Sequence, residues 1–198
     1  MTTIATPAVL LADRVLPRSL ATDVGLVIGG AALTALLAQV TVPLPLVPIT
    51  GQTMAVLLVG ATLGATRGAA SMSLYALLGM IGLPVFSDAS GGMSVVLGTT
   101  GGYIVGFVAA AALVGRLAER RWERTFLKGL VTFLAGTAVT FAVGLPWLAV
   151  VAGLDLQATI AHGLAPFVLP GILKAAVVAG LLPAAWKGAE RLAARREG

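Results

Sequence analysis

The sequence contains no cysteine, only one histidine and few charged residues. Without cysteine, disulfide bonds, thiolate metal sites and cysteine nucleophiles are excluded. With His162 as the single histidine, a histidine-based metal cluster is excluded as well. The sequence also lacks the G-x-S-x-G, H-E-x-x-H and P-loop motifs of hydrolases, zinc proteases and nucleotide-binding proteins. We therefore expect neither an enzyme nor a metal or cofactor site.

Charged residues make up 11% of the 198-residue chain, whereas about 25% is typical of soluble domains. Hydrophobic residues reach 58%, and the mean hydropathy is +1.00. So few charges cannot cover the surface of a soluble protein of this size. The composition therefore predicts a multi-pass protein embedded in the lipid bilayer.

Long charge-free stretches divide the chain into candidate membrane spans. The longest, 24–66, has room for two helices of the roughly 20 residues needed to cross a bilayer. Three prolines, Pro43, Pro45 and Pro48, mark the break between these two helices. Six spans are predicted in all. They are residues 24–41, 50–65, 68–83, 101–116, 129–150 and 165–187.

Six helices place both chain termini on the same side of the membrane. In this topology twelve of the thirteen basic residues lie on the side of the termini, and the opposite loops carry none. By the positive-inside rule, the side of the termini is the cytoplasm. We predict a cytoplasmic N-terminal segment (1–22), an all-α bundle of six transmembrane helices (23–187) and a cytoplasmic C-terminal tail (188–198). The basic segment 116–128 is interpreted as part of this topology signal, and no nucleic-acid partner is expected.

Two loops on the predicted outer side have the composition of a ligand site. The first, 42–50, contains three prolines and cannot be regular helix, so at membrane depth it must be buried or line a cavity. Thr50, Gln52 and Thr53 place hydrogen-bonding groups at the start of the second span, although a rigid turn with a capping threonine is the alternative. The second loop, 84–103, is long and glycine-rich, which suits a lid over a small ligand or, alternatively, a simple connector.

Lys174 is the one basic residue that this topology places inside a span. A lysine within a transmembrane helix costs a few kcal/mol on insertion scales, so such residues normally face a cavity or a partner. No acidic residue lies within a predicted span. We interpret Lys174 as a hydrogen-bond donor or cation for a polar ligand, with snorkelling to the outer interface as the alternative.

The first span is rich in small residues. Gly25 and Gly29 have the four-residue spacing that lets two helices approach closely, and so do Ala31 and Ala35. This pattern indicates either packing within the bundle or a docking face for another membrane protein. We assign a docking face around Ala31 and Ala35.

Several short motifs together resemble the BioY family, the substrate-capture components of energy-coupling factor (ECF) biotin transporters. The similarity covers nearly all six predicted spans, roughly 24–187. Each motif alone is weak, but their order and spacing are specific. The motifs are residues 47–53 (VPITGQT), 78–86 (LGMIGLPVF), 91–92 (GG), 97–103 (LGTTGGY) and 144–147 (GLPW), followed by Pro166 and Phe167 before Lys174.

The resemblance implies a biotin-binding membrane protein of the bacterial plasma membrane. It implies that an EcfT-type transmembrane coupling subunit and two ATP-binding cassette ATPases are partners, because the chain has no nucleotide motif of its own. Many relatives have an aspartate three residues before the last-helix lysine, where this chain has Gly171. The substrate-binding residues carried over by motif are Thr50, Gln52, Gly91, Gly92, Gly102, Tyr103 and Lys174.

Three other functions stay open at this point. The chain could be the component for another small vitamin, a carrier that works alone, or a structural membrane protein without a ligand. Biotin capture with inward delivery, without catalysis, is the leading hypothesis.

Overall fold

The computed structural model describes the backbone of residues 10–197 and the side chains of residues 10–192. Helices form most of this range. Two two-residue strands, β1 (Thr41–Val42) and β2 (Ile49–Thr50), pair as an antiparallel ribbon. The helices are α1 (Leu11–Val15), α2 (Leu20–Ala38), α3 (Gln52–Met80), α4 (Met93–Leu97), α5 (Gly101–Ala118), α6 (Phe126–Ala152), α7 (Leu156–Gly163) and α8 (Ala165–Glu197), with 3₁₀ turns at Ser87–Ala89 and Trp122–Arg124.

Within the described range, five helices are long and apolar enough to cross a membrane: α2, α3, α5, α6 and α8. The prediction of a mostly helical, multi-pass membrane protein is confirmed. The count of six spans stays a prediction, because the predicted spans 50–65 and 68–83 both lie in α3. α8 continues through most of the predicted tail to Glu197. Residues 1–9 of the predicted N-terminal segment lie outside the described range.

Gly64 interrupts α3. Its backbone, with φ 85° and ψ 179°, lies in a region that is essentially restricted to glycine. The chain reverses direction at Gly64. The evidence is that a Cβ atom on Gly68 would lie only 3.1 Å from the Cα atom of Gly60. Residues eight apart in a straight helix are separated by about 12 Å. α3 therefore consists of two segments packed side by side. At the reversal, the backbone N–H of Ala65 donates to Oε1 of Glu119 (3.0 Å).

Helices α3 and α5 form the centre of the bundle. Of their spanning stretches, 50% and 61% of the residues are buried, against 28% or less for α2, α6 and α8. The two central backbones approach closely at Gly115, where a Cβ atom would lie 2.3 Å from the amide nitrogen of Ala65. Apolar side chains are exposed on the peripheral helices, as lipid contact requires.

A cluster of ion pairs holds α1 against the reversal in α3. Arg67 Nη1 lies 2.8 Å from Asp13 Oδ1 and 3.0 Å from Asp23 Oδ1, and Arg18 Nη2 lies 2.7 Å from Asp13 Oδ2. Burial alone would raise the pKa of Asp13, but the hydrogen bonds and charges of Arg67 and Arg18 lower it. A depressed carboxyl pKa stabilises the fold at neutral pH, and this contribution is lost in acid as the group becomes protonated.

Candidate ligand-binding site

The proline-rich loop forms the β1–β2 ribbon at one end of the bundle. Thr41 pairs with Thr50, and the N–H of Gly51 donates to the carbonyl oxygen of Val40 (2.9 Å). Val47, between the strands, is buried. The ribbon therefore folds the loop back over the bundle and fixes Thr50 at the N-terminus of α3, as the predicted non-helical loop requires.

Three polar side chains form a buried chain of hydrogen bonds. The Thr50 hydroxyl donates to Gln52 Oε1 (2.6 Å), and Gln52 Nε2 donates to the hydroxyl of Tyr75 (2.5 Å). Tyr75 is fully buried on the second segment of α3. The reversal at Gly64 is what brings it beside Gln52, since 23 residues of straight helix would separate the two by about 35 Å.

Lys174 connects α8 to this network. Its Nζ donates to the backbone carbonyl of Thr50 (2.5 Å) and to Oγ1 of Thr53 (3.1 Å). Lys174 makes no ion pair with any residue of the described range. Gly171, at the position where many relatives carry aspartate, lines a neighbouring groove between α6 and α8. A half-buried cation thus sits among hydroxyl and amide groups without a carboxylate.

The loop after α3 covers one side of the site through Phe86. The Phe86 ring packs edge-on against Tyr75, with ring centroids 5.4 Å apart, and is almost fully buried. Gln39, at the end of α2, holds this loop from outside. Its Nε2 donates to the Phe86 carbonyl (3.0 Å), and its Oε1 accepts from the N–H of Ala89 (2.9 Å). Asp88 and Ala89 both have positive φ, 56° and 52°, which few residues other than glycine adopt.

Aromatic side chains from α5, α6 and α8 form the opposite wall. Tyr103 packs edge-on against Phe141, which in turn contacts Phe167, with 5.7 Å between ring centroids in each pair. The hydroxyl of Tyr103 donates to the carbonyl of Gly163 (3.1 Å). This bond fixes the Tyr103 ring and leaves its apolar face toward the site.

These groups enclose a cavity of about 520 Å³, including its opening. Small-molecule pockets are mainly apolar, with a few placed polar groups. The arrangement suits a small, largely apolar ligand that carries several polar atoms. The lining residues are Val47, Pro48, Thr50, Gln52, Thr53, Phe86, Ser87, Val95, Thr100, Tyr103, Ile104, Phe107, Phe141, Phe167 and Lys174.

Four of the seven predicted substrate-binding residues line the cavity: Thr50, Gln52, Tyr103 and Lys174. The three predicted glycines lie behind its walls. A Cβ atom would lie 2.3 Å from the Leu83 carbonyl oxygen at Gly91, and 2.3 Å from the Trp147 Cβ atom at Gly102. Gly92 has φ 98° and donates its N–H to the Gly79 carbonyl (2.7 Å). In the structure these glycines shape the loop and the α5–α6 contact.

The predicted substrate-binding residues do not include Phe141, which lines the cavity, or Tyr75 and Gln39, which hydrogen-bond to the lining residues Gln52 and Phe86. Tyr75 and Phe141 lie in apolar stretches of the sequence, which are typical of the core of any helix bundle. Gln39 is a polar residue at a helix end, a position where polar residues are common. Only the three-dimensional contacts distinguish these positions.

The predicted docking residues face inward. Ala31 is 2% exposed, and Ala35 packs against the core. The exposed small residues of α2 are instead Gly25, Gly29 and Ala32, and a Cβ atom at either glycine would meet no atom within 4 Å.

The helical bundle and its enclosed cavity define a multi-pass membrane protein with an internal small-molecule pocket. The sequence model described as the BioY family matches residues 6–191, nearly the whole chain. The chain belongs to the BioY family, and the resemblance found in its motifs is confirmed.

Named relatives agree with this assignment. The probable biotin transporter BioY of Pyrococcus horikoshii is 38% identical over 156 residues, which are 79% of this chain and 91% of the relative. The biotin transporter BioY of Thermotoga maritima is 37% identical over 142 residues, 72% and 82% of the two chains. These relatives are named as transporters and not as enzymes, as predicted.

A crystal structure described as the S-component for biotin from an ECF-type ABC transporter has the same fold. The two structures superpose with a TM-score of 0.74 at 24% sequence identity. The match covers 86% of this chain and 95% of the chain in the crystal structure.

Proposed function

We propose that the chain captures biotin at the outer face of the membrane and delivers it inward as the substrate-binding subunit of an ECF-type transporter. The observation that carries this proposal is Lys174, a cation held among polar groups in an apolar cavity of a BioY-family chain. A cavity of this kind selects a ligand whose polar atoms replace water, because unmet buried polar groups are costly.

The chemistry of biotin matches the cavity. Its bicyclic ring and aliphatic tail are apolar and suit the apolar part of the cavity lining, which includes Phe86, Phe107 and Tyr103. Its ureido group and carboxylate need hydrogen-bond donors and acceptors, which Gln52 and Lys174 supply. The ligand would replace part of the hydrogen bonding that Lys174 now directs at the Thr50 carbonyl.

A competition experiment separates biotin from other vitamins. Purified protein is loaded with radiolabelled biotin and challenged with an excess of thiamine, riboflavin or unlabelled biotin. We expect displacement by unlabelled biotin alone. Displacement by thiamine or riboflavin would instead favour the component for another vitamin. Failure to load any biotin on folded protein would leave the structural-protein alternative standing.

The proposed topology has six crossings with both termini in the cytoplasm. The reversal at Gly64 supports it, because the two segments of α3 then run in opposite directions. Segments 52–63 and 65–80 would rise only about 18 and 24 Å, less than the roughly 30 Å hydrocarbon core, so both must be sheltered by the bundle. The distribution of basic residues assigns the cytoplasmic side.

Delivery requires an energy source that the chain itself lacks. We propose that an EcfT-type coupling subunit and two ATP-binding cassette ATPases supply it. The coupling subunit would dock on the exposed face of α2 formed by Gly25, Gly29 and Ala32, since small residues let two helices approach closely in a membrane. Loaded protein would then reorient against this partner.

A bulky residue on this face should block assembly. Gly29→Trp is expected to reduce co-purification with the coupling subunit at least tenfold while leaving biotin affinity within twofold of wild type, because Gly29 is remote from the cavity. The readout is pull-down of tagged protein from membranes in which all subunits are produced together. Gly180→Trp on α8 is the matched control, as this glycine is also exposed with no atom near its Cβ position.

Equal losses in the Gly29 and Gly180 variants would point to a general packing defect and contradict the docking face. Uptake of biotin into proteoliposomes by the chain alone would favour the carrier that works without partners.

Gln39 should control how long biotin stays bound. Gln39→Ala removes both hydrogen bonds to the Phe86–Ala89 loop, each worth about 0.5–1.5 kcal/mol. We expect the dissociation rate of biotin to rise by roughly 5- to 100-fold, with the association rate changed less than threefold, because the open loop still admits ligand. The association rate is measured from the binding of radiolabelled biotin over time, and the dissociation rate from its release into an excess of unlabelled biotin.

Gln157→Ala on α7 serves as the control, since this glutamine is exposed and lies outside the cavity lining. Unchanged dissociation in Gln39→Ala would mean that the Phe86 loop does not retain the ligand.

A further inference from the structure

A second cavity lies at the opposite end of the bundle from the ligand-binding site. It has a volume of about 550 Å³, including its opening, and lies between α1, the turn that joins α5 to α6, and α8. Arg14, Arg121, Arg124, Trp186 and Glu190 line it. We call it the arginine cavity. Its position next to the ends of the spanning helices places it near the level of the lipid headgroups.

The charges of the arginine cavity are not balanced. Three guanidinium groups and one carboxylate, that of Glu190, line the cavity, and Arg124 also pairs with the buried Glu123 (Nε to Oε1, 3.8 Å). Among described side chains, Arg14 and Arg121 make no ion pair. Three basic residues near the cavity but outside its lining are also paired: Arg18 with Asp13, Arg67 with Asp13 and Asp23, and Arg116 with Glu119. The cavity therefore has an excess of positive charge that an anion would neutralise.

The walls of the cavity are held in place. The Arg124 guanidinium lies 3.9 Å from the centroid of the Trp186 ring, and the indole N–H of Trp186 donates to Glu123 Oε1 (3.0 Å). Glu123 is 1% exposed, and burial raises the pKa of its carboxyl. A guanidinium stacked on an aromatic face keeps its N–H groups pointing outward around its rim, which is the geometry that recognises phosphate oxygens.

Arg121 adopts a strained backbone conformation at the cavity. Its φ is 63°, in the left-handed region, which is unfavourable for a residue other than glycine. Its N–H donates to the Ala118 carbonyl (2.7 Å) and closes the turn after α5. Glycine would relieve the strain at this turn, but it would remove one of the three guanidinium groups.

Exposed apolar side chains lie within three residues in sequence of the lining residues Arg14 and Arg124. Phe126 and Leu127, at the start of α6, are 51% and 71% exposed, and Leu16, just after α1, is 43% exposed. A soluble phosphate has no apolar part that could contact these side chains, whereas the acyl chains of a lipid would cover them. Basic pockets between transmembrane helices at the cytoplasmic side bind anionic lipid headgroups.

We propose that the arginine cavity binds the phosphate group of an anionic membrane phospholipid. Arg14, Arg121 and Arg124 contact the phosphate oxygens, and the acyl chains lie along Phe126 and Leu127. The bound lipid ties α1 and the α5–α6 turn to α8. This site is separate from biotin binding and does not depend on it.

Phosphatidylglycerol is the probe for this site. The full chain, purified in detergent, is washed free of lipid, mixed with phosphatidylglycerol or phosphatidylcholine, and examined by native mass spectrometry and thermal unfolding. We expect one tightly bound phosphatidylglycerol per chain, a raised midpoint of unfolding, and no such effect of phosphatidylcholine. Equal retention of both lipids would overturn the proposal.

Paired variants test the residues. Arg14→Gln with Arg121→Gln is expected to weaken phosphatidylglycerol binding roughly 10- to 30-fold. The control, Arg120→Gln with Lys128→Gln, removes the same charge from the same end of the bundle outside the cavity lining and should change binding less than threefold. An equal loss of phosphatidylglycerol affinity in both double variants would show an effect of general surface charge and would overturn the proposed site.

Two further arms complete the test. Arg121→Gly removes the guanidinium and relieves the backbone strain, so this variant should stay folded in phosphatidylcholine and still lose the stabilisation by phosphatidylglycerol. Inorganic phosphate at the same concentration should neither compete nor stabilise. Competition by inorganic phosphate equal to that of the lipid would overturn the lipid assignment in favour of a soluble anion.

Discussion

Replacement of Lys174 by methionine is expected to weaken biotin binding by about 10- to 150-fold. Among the described residues that line the cavity, Lys174 is the only charged one, and hydrogen bonds to charged groups contribute about 1.5–3 kcal/mol. Methionine keeps the apolar stem of the side chain and removes the ammonium group. Calorimetric titration of the purified variant with biotin measures the loss.

The same substitution also removes two hydrogen bonds within the chain, to the Thr50 carbonyl and the Thr53 hydroxyl. Thermal unfolding of the ligand-free variant therefore has to be measured beside the titration. Lys187→Met, on the same helix but at an exposed position, is the control and should leave both measurements unchanged. Wild-type affinity in folded Lys174→Met would move the polar contact with biotin to another residue.

Replacement of Gly64 by alanine is expected to destabilise the folded chain by roughly 2–6 kcal/mol. The backbone at φ 85° and ψ 179° strains any side chain, and the added Cβ atom would lie 2.6 Å from Cδ1 of Leu10 and 3.2 Å from Oε1 of Glu119. Since the reversal places Tyr75 beside Gln52, biotin binding should fall together with the folded fraction. Size-exclusion chromatography after heating in detergent measures that fraction.

Two variants separate the causes of this loss. Gly153→Ala has a positive φ of 63° but no atom within 4 Å of the added Cβ, so it should cost only about 1–2 kcal/mol. Leu10→Ala in the Gly64→Ala background makes room for the new methyl group and should restore part of the stability. A Gly64→Ala protein as stable as wild type would contradict the role assigned to the reversal.

The sequence predicts the positions of most helices because charged residues are rare and sit at helix ends. Predicted span 101–116 differs from α5 by two residues at one end, and predicted span 129–150 lies within α6. Arg67 is the only charged residue that marks the boundary between predicted spans 50–65 and 68–83. The actual break is at Gly64, three residues earlier, and no proline lies there.

The candidate site could be predicted where residues are unusual for their surroundings. A lysine inside a span and polar residues after a proline-rich loop are such cases, and Lys174, Thr50 and Gln52 all line the cavity. Gly91 and Gly102 belong to the same motifs but support the walls from behind. Motif membership alone does not distinguish a contact with the ligand from a contact that shapes the backbone.

The face of a helix could not be predicted from its spacing of small residues. Gly25–Gly29 and Ala31–Ala35 share the same spacing, and the hydrophobicity of α2 is nearly uniform around its axis. Burial of Ala31 and exposure of Gly29 follow from how α2 packs on α3, which depends on residues far away in sequence. In a membrane both faces of a helix are apolar, so composition carries little information about orientation.

The most direct test of the account is calorimetric titration of the purified wild-type chain in detergent with biotin. We expect saturable binding of one biotin per chain, with a negative heat-capacity change from burial of apolar surface in the cavity. Absence of binding by protein that is demonstrably folded would contradict the proposed function, whatever the partners of the chain.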